Sequence, residues 1–266
     1  MARFGLRNRP TASAPRPSHR ATAKEAFRVL RSNLLVAITE LDNPIVVVTS
    51  AYGQEGKTST CVNLAQSLAA AGPRVVLVDL DLRNPDSHHL LGAHNQKGVS
   101  DVLLDRRTLE ECLQYVELGL VESARPASMY FLGGGPQVSS PTELLSTPRT
   151  GKLLEGLALQ ADIVLLDTPP VLPVADTLVI GRLAAGAVLV VEARRTPAPA
   201  AKRAKDALTR NQTRLLGVVL NKFKPKFAGY ADGSAGGDYG FGYGYGDGGR
   251  GEAPKGDGAD RDGARD

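Results

Sequence analysis

Short apolar runs alternate along the chain with longer segments that have a helical pattern of apolar and polar positions. The runs are rich in Val, Ile and Leu and show little alternation, which is typical of parallel strands covered on both faces. They lie at Ile45–Thr49, Val75–Asp79, Ile163–Asp167, Ala187–Val191 and Leu216–Leu220. Helices are predicted over Lys57–Ala71, Gly151–Leu159, Ala175–Ala184 and Ala198–Arg210. This alternation predicts an α/β fold with a doubly wound, mostly parallel sheet and helices on both faces.

A further helix is predicted before the first strand, over Thr22–Thr39. Thr22 and Glu25 have the spacing of a capping box at its start. Apolar residues recur on one face of this helix, at Phe27, Leu30, Leu34 and Ile38. Residues 86–127 have a more helical and loop-like pattern, which predicts an insertion over one end of the sheet. Ser128–Leu132 is predicted to add another strand.

The two ends of the chain differ from its balanced middle. Residues 1–24 hold six Arg or Lys and no acid, whereas residues 229–266 hold eight acids against four bases and are over one third Gly. Segments this poor in apolar residues cannot offset their ordering entropy. The predicted organisation is therefore a flexible basic arm over residues 1–20, a folded domain over 21–227 and a flexible Gly/Tyr-rich tail over 228–266.

The composition also bears on the cellular compartment. No stretch reaches the roughly 20 apolar residues of a spanning helix, and the basic N-terminus lacks the apolar core of a secretory signal. Cys61 and Cys112 have no metal-ligand spacing, which fits a reducing compartment. We therefore expect a cytoplasmic protein that reaches membranes only through a partner or surface charge. The arm lacks interleaved aromatic residues, so no specific nucleic acid partner is expected.

The segment Ser50–Thr58, which follows the first strand directly, has the character of a phosphate-binding loop. Glycines let the backbone close around phosphates and direct N–H groups at them. Lys57 can reach the β- and γ-phosphates, and the hydroxyl of Thr58 can ligate Mg²⁺. The usual spacing has Gly where Ala51 stands, so the bare pattern fails at its first position.

Three aspartates stand at the ends of predicted strands. Asp79 and Asp81 follow the second strand, and Asp167 ends the third. Ligands of parallel α/β sheets bind at the carboxyl ends of the strands, so these carboxylates are expected to converge on Lys57 and Thr58. They can hold Mg²⁺ with its waters, and one can accept a proton from an attacking hydroxyl. The sequence thus predicts a nucleotide phosphate site with Mg²⁺.

With this loop and these aspartates, the chain resembles the family of bacterial tyrosine kinases (BY-kinases). These kinases are built on the P-loop fold of the MinD/ParA ATPases. Residues 50–59, 76–83 and 163–170 resemble its Walker A, Walker A′ and Walker B motifs. The segment Glu25–Leu34 is similar to its E-x-x-R-x-x-R-[ST]-N oligomerisation motif, and Pro141–Leu145 is similar to its P-[ST]-E-L-L segment. The Tyr-bearing tail resembles its C-terminal tyrosine cluster.

The resemblance implies ATP and Mg²⁺ as cofactors and gives roles to particular residues. Lys57, Asp79 and Asp81 would be catalytic, and Thr58, Asp79, Asp81 and Asp167 would hold the metal. The nucleotide-binding set would be Gly53, Gln54, Glu55, Gly56, Lys57, Thr58, Ser59 and Asn221. The oligomer interface would use Glu25, Arg28 and Arg31, and the phosphoacceptors would be Tyr239, Tyr243 and Tyr245. Arg83 is left open between a phosphate contact and a partner contact.

The resemblance also implies a function and its partners. The chain would be a tyrosine autokinase that phosphorylates its own tail between the subunits of a ring and so regulates capsule or exopolysaccharide synthesis or export. A membrane-anchored chain-length or adaptor protein would bring it to the inner face of the plasma membrane. A tyrosine phosphatase is a further expected partner.

Two features of the sequence bear on the choice between a kinase and its alternative. Partitioning ATPases of the MinD/ParA class carry a signature lysine where this chain has Tyr52, which favours the kinase branch. The tail, however, interleaves Tyr with Gly between Tyr239 and Tyr245 rather than forming a dense block. A MinD/ParA-like switch that positions other machinery without tyrosine phosphorylation remains the alternative. An iron–sulfur carrier is disfavoured because Cys61 and Cys112 lack the spacing of thiolate ligands.

Overall fold

The computed structural model describes residues 19–39, 41–120 and 126–223. Within these ranges the strands form a single sheet. The strands are β1 (Ile45–Ser50), β2 (Val75–Asp79), β3 (Gln114–Leu120), β4 (Pro126–Leu132), β5 (Ile163–Asp167), β6 (Gly186–Glu192) and β7 (Leu215–Asn221). Their spatial order is β3-β4-β2-β5-β1-β6-β7, and every neighbouring pair is parallel except the antiparallel pair β3–β4. The prediction of a doubly wound, mostly parallel sheet is confirmed.

Helices cover both faces of this sheet. They are α1 (His19–Ile38), α2 (Lys57–Ala69), α3 (Ser87–Leu91), α4 (Val99–Leu103), α5 (Leu109–Cys112), α6 (Pro141–Leu145), α7 (Pro148–Ala158), α8 (Asp176–Gly181) and α9 (Ala198–Arg210). Among the described residues, α1 and α2 contribute to the apolar cluster on one face, and α4 to α9 contribute to the cluster on the other.

The central strands show why their sequences lack alternation. Val46 and Val48 of β1 pack in the cluster beneath α1 and α2, whereas Val47 packs in the opposite cluster. All six residues of β1 are buried, as are all five of β2 and of β5. Both faces of each strand are covered, so each needs apolar side chains at every position.

Two predicted features are wrong. The first helix begins at His19, so Thr22 lies within the helix and cannot cap it as the Thr22–Glu25 spacing predicted. The stretch read as an insertion of helix and loop does contain three short helices, but it also contains β3. In β3, Val116 and Leu118 pack against the core while Glu117 between them is exposed. That alternation is the period-2 signal of a half-covered edge strand.

The described residues all belong to the first of two compact units of the chain, residues 1–224. The second unit, residues 225–266, lies outside the described ranges, and so do residues 1–18 of the basic arm and the three predicted phosphoacceptor tyrosines. The predicted domain boundaries therefore stay predictions. In the part of the chain that the structure describes, no helix is long and apolar enough to cross a membrane.

Candidate functional site

A tight loop joins the carboxyl end of β1 to the start of α2. Gly56, directly before α2, has a left-handed backbone with φ of 91°. A Cβ at Gly56 would lie 2.0 Å from Nδ2 of Asn221, so both the conformation and the space require glycine here. The first N–H groups of a helix have no intrahelical partners and are the groups that bind anions. The loop therefore has the form of a phosphate site.

The loop is closed by its own acidic residue. The Glu55 side chain is buried, and one carboxylate oxygen accepts a hydrogen bond from the Tyr52 N–H at 3.1 Å. Its other oxygen accepts from the hydroxyl of Thr196, just before α9. Ala51, where the usual pattern has Gly, is completely buried beneath the loop. The departure at Ala51 is accommodated because a small side chain fits that core position.

The structure brings Lys57, Asp81 and Asp167 together. The Lys57 Nζ lies 2.8 Å from the Asp81 carboxylate and 3.5 Å from that of Asp167. It also donates to the Thr58 hydroxyl at 3.1 Å. All three charged side chains are at least nine-tenths buried. A lysine and two carboxylates thus meet beside the phosphate loop, at the carboxyl edge of the sheet.

Asp79 has a different environment, although it is also fully buried. One of its carboxylate oxygens accepts the backbone N–H groups of Asp86 and Ser87, each at 3.1 Å. The other accepts the N–H of Asp81 at 3.2 Å. The side chain thus fastens the turn after β2, which carries Asp81. Its predicted catalytic and metal roles stay predictions, and its contacts are those of a positioning residue.

Burial and mutual repulsion shift the titration of these groups. Burial, followed by the charge of Asp167, raises the pKa of Asp79 to about 8. Burial also raises the pKa of Asp167, against the opposing effect of Lys57. Burial lowers the pKa of Lys57, but the carboxylates of Asp167 and Asp81 outweigh it and leave that pKa above its ordinary value. The carboxylates of Asp81 and Asp167 share the single cation Lys57, so the site favours an additional cation.

The donor set fits Mg²⁺ bound together with phosphate. The Asp167 Oδ1 atom is buried and has no hydrogen-bond partner within the described ranges. Hydroxyl and carboxylate oxygens are the ligands that Mg²⁺ prefers, and it is commonly held by one or two carboxylates plus substrate phosphates. Among the described residues, no three His, Cys, Asp or Glu side chains form a complete metal cage. The site therefore suits a metal that arrives with a nucleotide.

Asn221, predicted to bind nucleotide, lies at the end of β7 against the phosphate loop. Its Nδ2 donates to the Glu55 carbonyl at 2.9 Å, and its Oδ1 accepts the N–H of Lys222 at 2.8 Å. Both ends of its amide are therefore engaged by protein atoms. Lys222 adds a contact that the sequence did not predict, since its Nζ donates to the Gln54 carbonyl at 3.0 Å.

Arg83, which the sequence left open, forms a two-pronged ion pair with Asp176 at 2.8 and 3.1 Å. It also donates to the hydroxyl of Thr142 at 2.9 Å. Asp176 is completely buried at the start of α8, and Thr142 lies in α6. These contacts tie the turn that follows Asp81 to two helices. Nothing local in the sequence links these three residues.

The predicted oligomer-interface residues divide into two kinds. Arg28 and Glu25 form an exposed ion pair at 3.0 Å on α1. Arg31 instead donates to the Ser67 carbonyl at 2.8 Å, near the end of α2. Arg31 therefore contacts its own chain, and the interface role of the three residues stays a prediction. A cation at a helix C-terminus satisfies an unpaired carbonyl and the helix dipole, so Arg31 helps to dock α1 on α2.

Tyr52 stands where partitioning ATPases carry their signature lysine. Its ring is partly exposed, and its hydroxyl accepts a hydrogen bond from Arg203 of α9 at 3.0 Å. The Tyr52 phenol therefore contacts the guanidinium of Arg203. Unlike the signature lysine, it brings no positive charge to the phosphate loop.

The chain is similar to a known class of domain. The chain matches the family described as the CobQ/CobB/MinD/ParA nucleotide binding domain over residues 46–234. This match covers more than half of the 266 residues. The chain therefore belongs to this class of nucleotide-binding domain, in agreement with the sheet and the phosphate loop.

Individual proteins that resemble the chain indicate which family within this class it belongs to. Tyrosine-protein kinase YwqD of Bacillus subtilis is 34% identical over 197 residues, which are 74% of this chain and 80% of YwqD. Tyrosine-protein kinase wzc of Salmonella typhimurium is 32% identical over 213 residues, 79% of this chain but 28% of wzc. The solved kinase domain of Escherichia coli tyrosine kinase ETK has a TM-score of 0.72 at 29% identity, covering 91% of this chain and 89% of that one. The chain belongs to the bacterial tyrosine-protein kinase family, which confirms the resemblance found in the sequence.

Proposed function

We propose that this chain is an ATP- and Mg²⁺-dependent protein-tyrosine kinase that phosphorylates tyrosines of its own C-terminal tail between subunits. The observation that carries the proposal is the convergence of Lys57, Asp81 and Asp167 beside the phosphate loop, in a chain of the tyrosine-kinase family. Phosphoryl transfer depends chiefly on positioning and on electrostatic stabilisation. A buried cluster of fixed charges at a helix N-terminus provides both.

Each group of the site has a role in this proposal. The N–H groups of the loop and of the first turn of α2 bind the nucleotide phosphates, and Lys57 neutralises charge on the transferred group. Thr58, Asp81 and Asp167 would hold Mg²⁺, which supplies charge neutralisation and orientation of the phosphates. Asp79 keeps the turn after β2 in place.

The transfer step needs an acceptor for one proton. The tyrosine hydroxyl oxygen forms a bond to the γ-phosphorus while the bond to the ADP oxygen breaks. The phenolic proton passes to a carboxylate, and Asp81 is our candidate because one of its oxygens faces Lys57 and the other accepts a single backbone N–H, that of Asn84. Asp79 is less suited because its two oxygens already accept three backbone N–H groups.

Tyr239, Tyr243 and Tyr245 are the proposed acceptors. Gly-rich chains of about 38 residues have an r.m.s. span on the order of 35 Å, a distance that would reach the site of a neighbouring subunit. Each phosphate would add about −1.5 to −2 charges. Repulsion from the acidic tail and from the carboxylate-rich site would then favour release of the tail and loosen the ring.

The partners in this proposal follow from the family. A membrane-anchored adaptor would complete the active kinase at the inner face of the plasma membrane, and a tyrosine phosphatase would reverse the reaction. The regulated process would be synthesis or export of a capsule or exopolysaccharide. Co-purification from membranes tests the adaptor: full activity of the purified chain without any membrane partner would contradict it.

The kinase activity is tested with radiolabelled ATP and Mg²⁺. The wild-type chain and a Lys152→Met control, altered at an exposed position of α7, should both become labelled on tail tyrosines. Lys57→Met should remain unlabelled. Labelling that survives Lys57→Met would refute the proposal. ATP-driven dimerisation without any phosphotyrosine would instead favour the MinD/ParA-like switch.

A further inference from the structure

Strained backbone is concentrated beside the phosphate loop. Within the described ranges, five non-glycine residues have a positive φ. Three of them are Gln54 (65°), Arg194 (65°) and Lys222 (54°), and they belong to three segments that meet here. A left-handed conformation is costly for any residue that has a Cβ, and it persists only where the surroundings hold it. The loop therefore needs support from outside its own sequence.

The end of β7 supplies that support through two successive side chains. Asn221 donates to the Glu55 carbonyl at 2.9 Å, and Lys222 donates to the Gln54 carbonyl at 3.0 Å. Two consecutive side chains thus hold two consecutive carbonyl groups of the loop. Neither contact involves a group that would touch a nucleotide phosphate.

Holding these carbonyls fixes the direction of the neighbouring N–H groups. In a planar trans peptide, the C=O of one residue and the N–H of the next point in opposite directions. With the Gln54 and Glu55 carbonyls turned towards β7, the N–H groups of Glu55 and Gly56 must point away from β7. Within the described ranges, neither N–H group donates a hydrogen bond to another protein atom. The N–H groups of Glu55 and Gly56 are therefore free to donate hydrogen bonds to a bound anion.

The segment between β6 and α9 completes the support. Lys222 forms an ion pair with Glu192 at 2.9 Å. The N–H of Glu192 donates to the Thr196 hydroxyl at 2.8 Å, and that hydroxyl donates to the Glu55 carboxylate. The contacts thus run from Gln54 through Lys222, Glu192 and Thr196 back to Glu55. We call Asn221, Lys222, Glu192 and Thr196 the loop brace.

We infer that the loop brace sets nucleotide affinity by holding Gln54 in its left-handed conformation, so that the N–H groups of Glu55 and Gly56 face the phosphates. In this role the brace residues are positioning residues, because the contacts concerned are with the loop; the nucleotide contact expected of Asn221 is a separate prediction. This inference rests on the proposed nucleotide site. It assigns to Lys222 a role in nucleotide binding that its place at the end of an edge strand does not suggest.

The test uses the full chain and the Mg²⁺ complex of a non-hydrolysable ATP analogue, with binding measured by calorimetry. Lys222→Met should weaken binding about tenfold, as expected for loss of a charged hydrogen bond. Lys152→Met should bind like the wild type. Gln54 belongs to the predicted nucleotide-binding set through its main chain, which Gln54→Gly retains, and glycine adopts a positive φ without strain; this variant should therefore change affinity by less than about threefold.

The decisive variant combines Lys222→Met with Gln54→Gly. If the brace holds a strained residue in place, the glycine makes the brace less necessary, and the loss caused by Lys222→Met should shrink to about threefold. Equal losses in the two backgrounds would overturn the inference, as would wild-type affinity in Lys222→Met alone. If Lys222→Met does not fold, Thr196→Val in the same two backgrounds provides the same comparison.

A kinetic measurement separates this role from a general effect on folding. Lys222→Met should raise the KM for ATP about tenfold and leave kcat within about twofold, whereas a partly unfolded preparation would lose kcat. A fall in kcat with unchanged KM would contradict the inference. Binding of the analogue without any tyrosine phosphorylation would refute the proposed kinase activity and still test the brace.

Discussion

An ion pair lies at each end of the neighbouring strands β2 and β5, and the two pairs differ in their exposure to water. Before the strands, Arg74 and Asp162 meet at 2.8 Å with side chains 64% and 46% exposed. After the strands, Lys57 and Asp81 meet at the same 2.8 Å with side chains 10% and 5% exposed. Water screens the first pair, whereas the second acts at low dielectric. Burial, rather than separation, distinguishes the candidate site from an ordinary surface contact.

The two ends also shift carboxyl groups in opposite directions. Hydrogen bonds from Arg74 lower the pKa of Asp162. Burial and the charge of Asp167 raise the pKa of Asp79 to about 8. The amino edge thus holds its charges in stable pairs, and the carboxyl edge holds an excess of negative charge. Such an excess is useful only where a cation or a phosphate-bound metal arrives.

The largest expected difference between the two ends is in activity. Asp81→Asn should lower the initial rate of phosphotyrosine formation about a thousandfold, since it removes both a proton acceptor and a metal ligand of the proposed mechanism. Asp162→Asn is the matched change at the amino edge and should leave the rate unchanged. Equal rates in the two variants would show that the carboxyl edge has no special role.

The next expected difference is in the stability of the nucleotide-free chain. Lys57→Met leaves buried carboxylates without their cation and should lower the free energy of unfolding by about 3 kcal/mol in chemical denaturation. Arg74→Met, at the solvent-exposed pair, should unfold at the same denaturant concentration as the wild type. Equal denaturation midpoints for the two variants would mean that Lys57 does not stabilise the buried carboxylates in the folded chain.

The smallest expected difference is in pH dependence. Between about pH 4 and pH 8, the unfolded chain has lost the Asp79 proton, whereas the folded chain, with its pKa of about 8, retains it. The folded state binds more protons, so Asp79 makes stability fall as pH rises through this window. Asp162 acts oppositely, because its lowered pKa gives stability above its ordinary pKa that is lost as pH falls.

Urea denaturation in the presence of a metal chelator at several pH values checks this sign. Asp79→Asn should flatten the fall of stability with pH, whatever its effect on stability at a single pH. Asp162→Asn should leave the slope unchanged above pH 5. If stability falls with pH as steeply in Asp79→Asn as in the wild type, the additional proton of the folded state is bound by another residue of the cluster.

Much of the carboxyl edge could be predicted from the sequence because its signals are local. The apolar runs ending at Asp79 and Asp167 gave β2 and β5 with their observed bounds. The rule that parallel strands present ligands at their carboxyl ends then accounts for the meeting of Asp81 and Asp167 with Lys57. The missed strand β3 also had a local signal, the alternation around Glu117, but it lay within a stretch rich in short helices.

The contacts that the sequence did not predict join residues that are far apart along the chain. Arg83 and Asp176 are separated by 93 residues, and Gln54 and Lys222 by 168. Neither pair belongs to a periodic pattern, and each depends on how loops meet after the sheet has formed. Arg31 illustrates the same limit, because nothing in the sequence of its helix indicates that its guanidinium contacts the Ser67 carbonyl of α2, 36 residues away.

The central claim is that the carboxyl edge of this sheet transfers phosphate to tyrosines of another subunit. The most direct measurement mixes two variants, neither of which can phosphorylate its own tail. The first is a Lys57→Met chain with its tail intact. The second has a wild-type site, and its Tyr239, Tyr243 and Tyr245 are changed to Phe. After incubation with ATP and Mg²⁺, mass spectrometry should find phosphotyrosine on the tail of the Lys57→Met chain. Absence of phosphate from that tail, when the unaltered wild-type chain is phosphorylated, would contradict transfer between subunits.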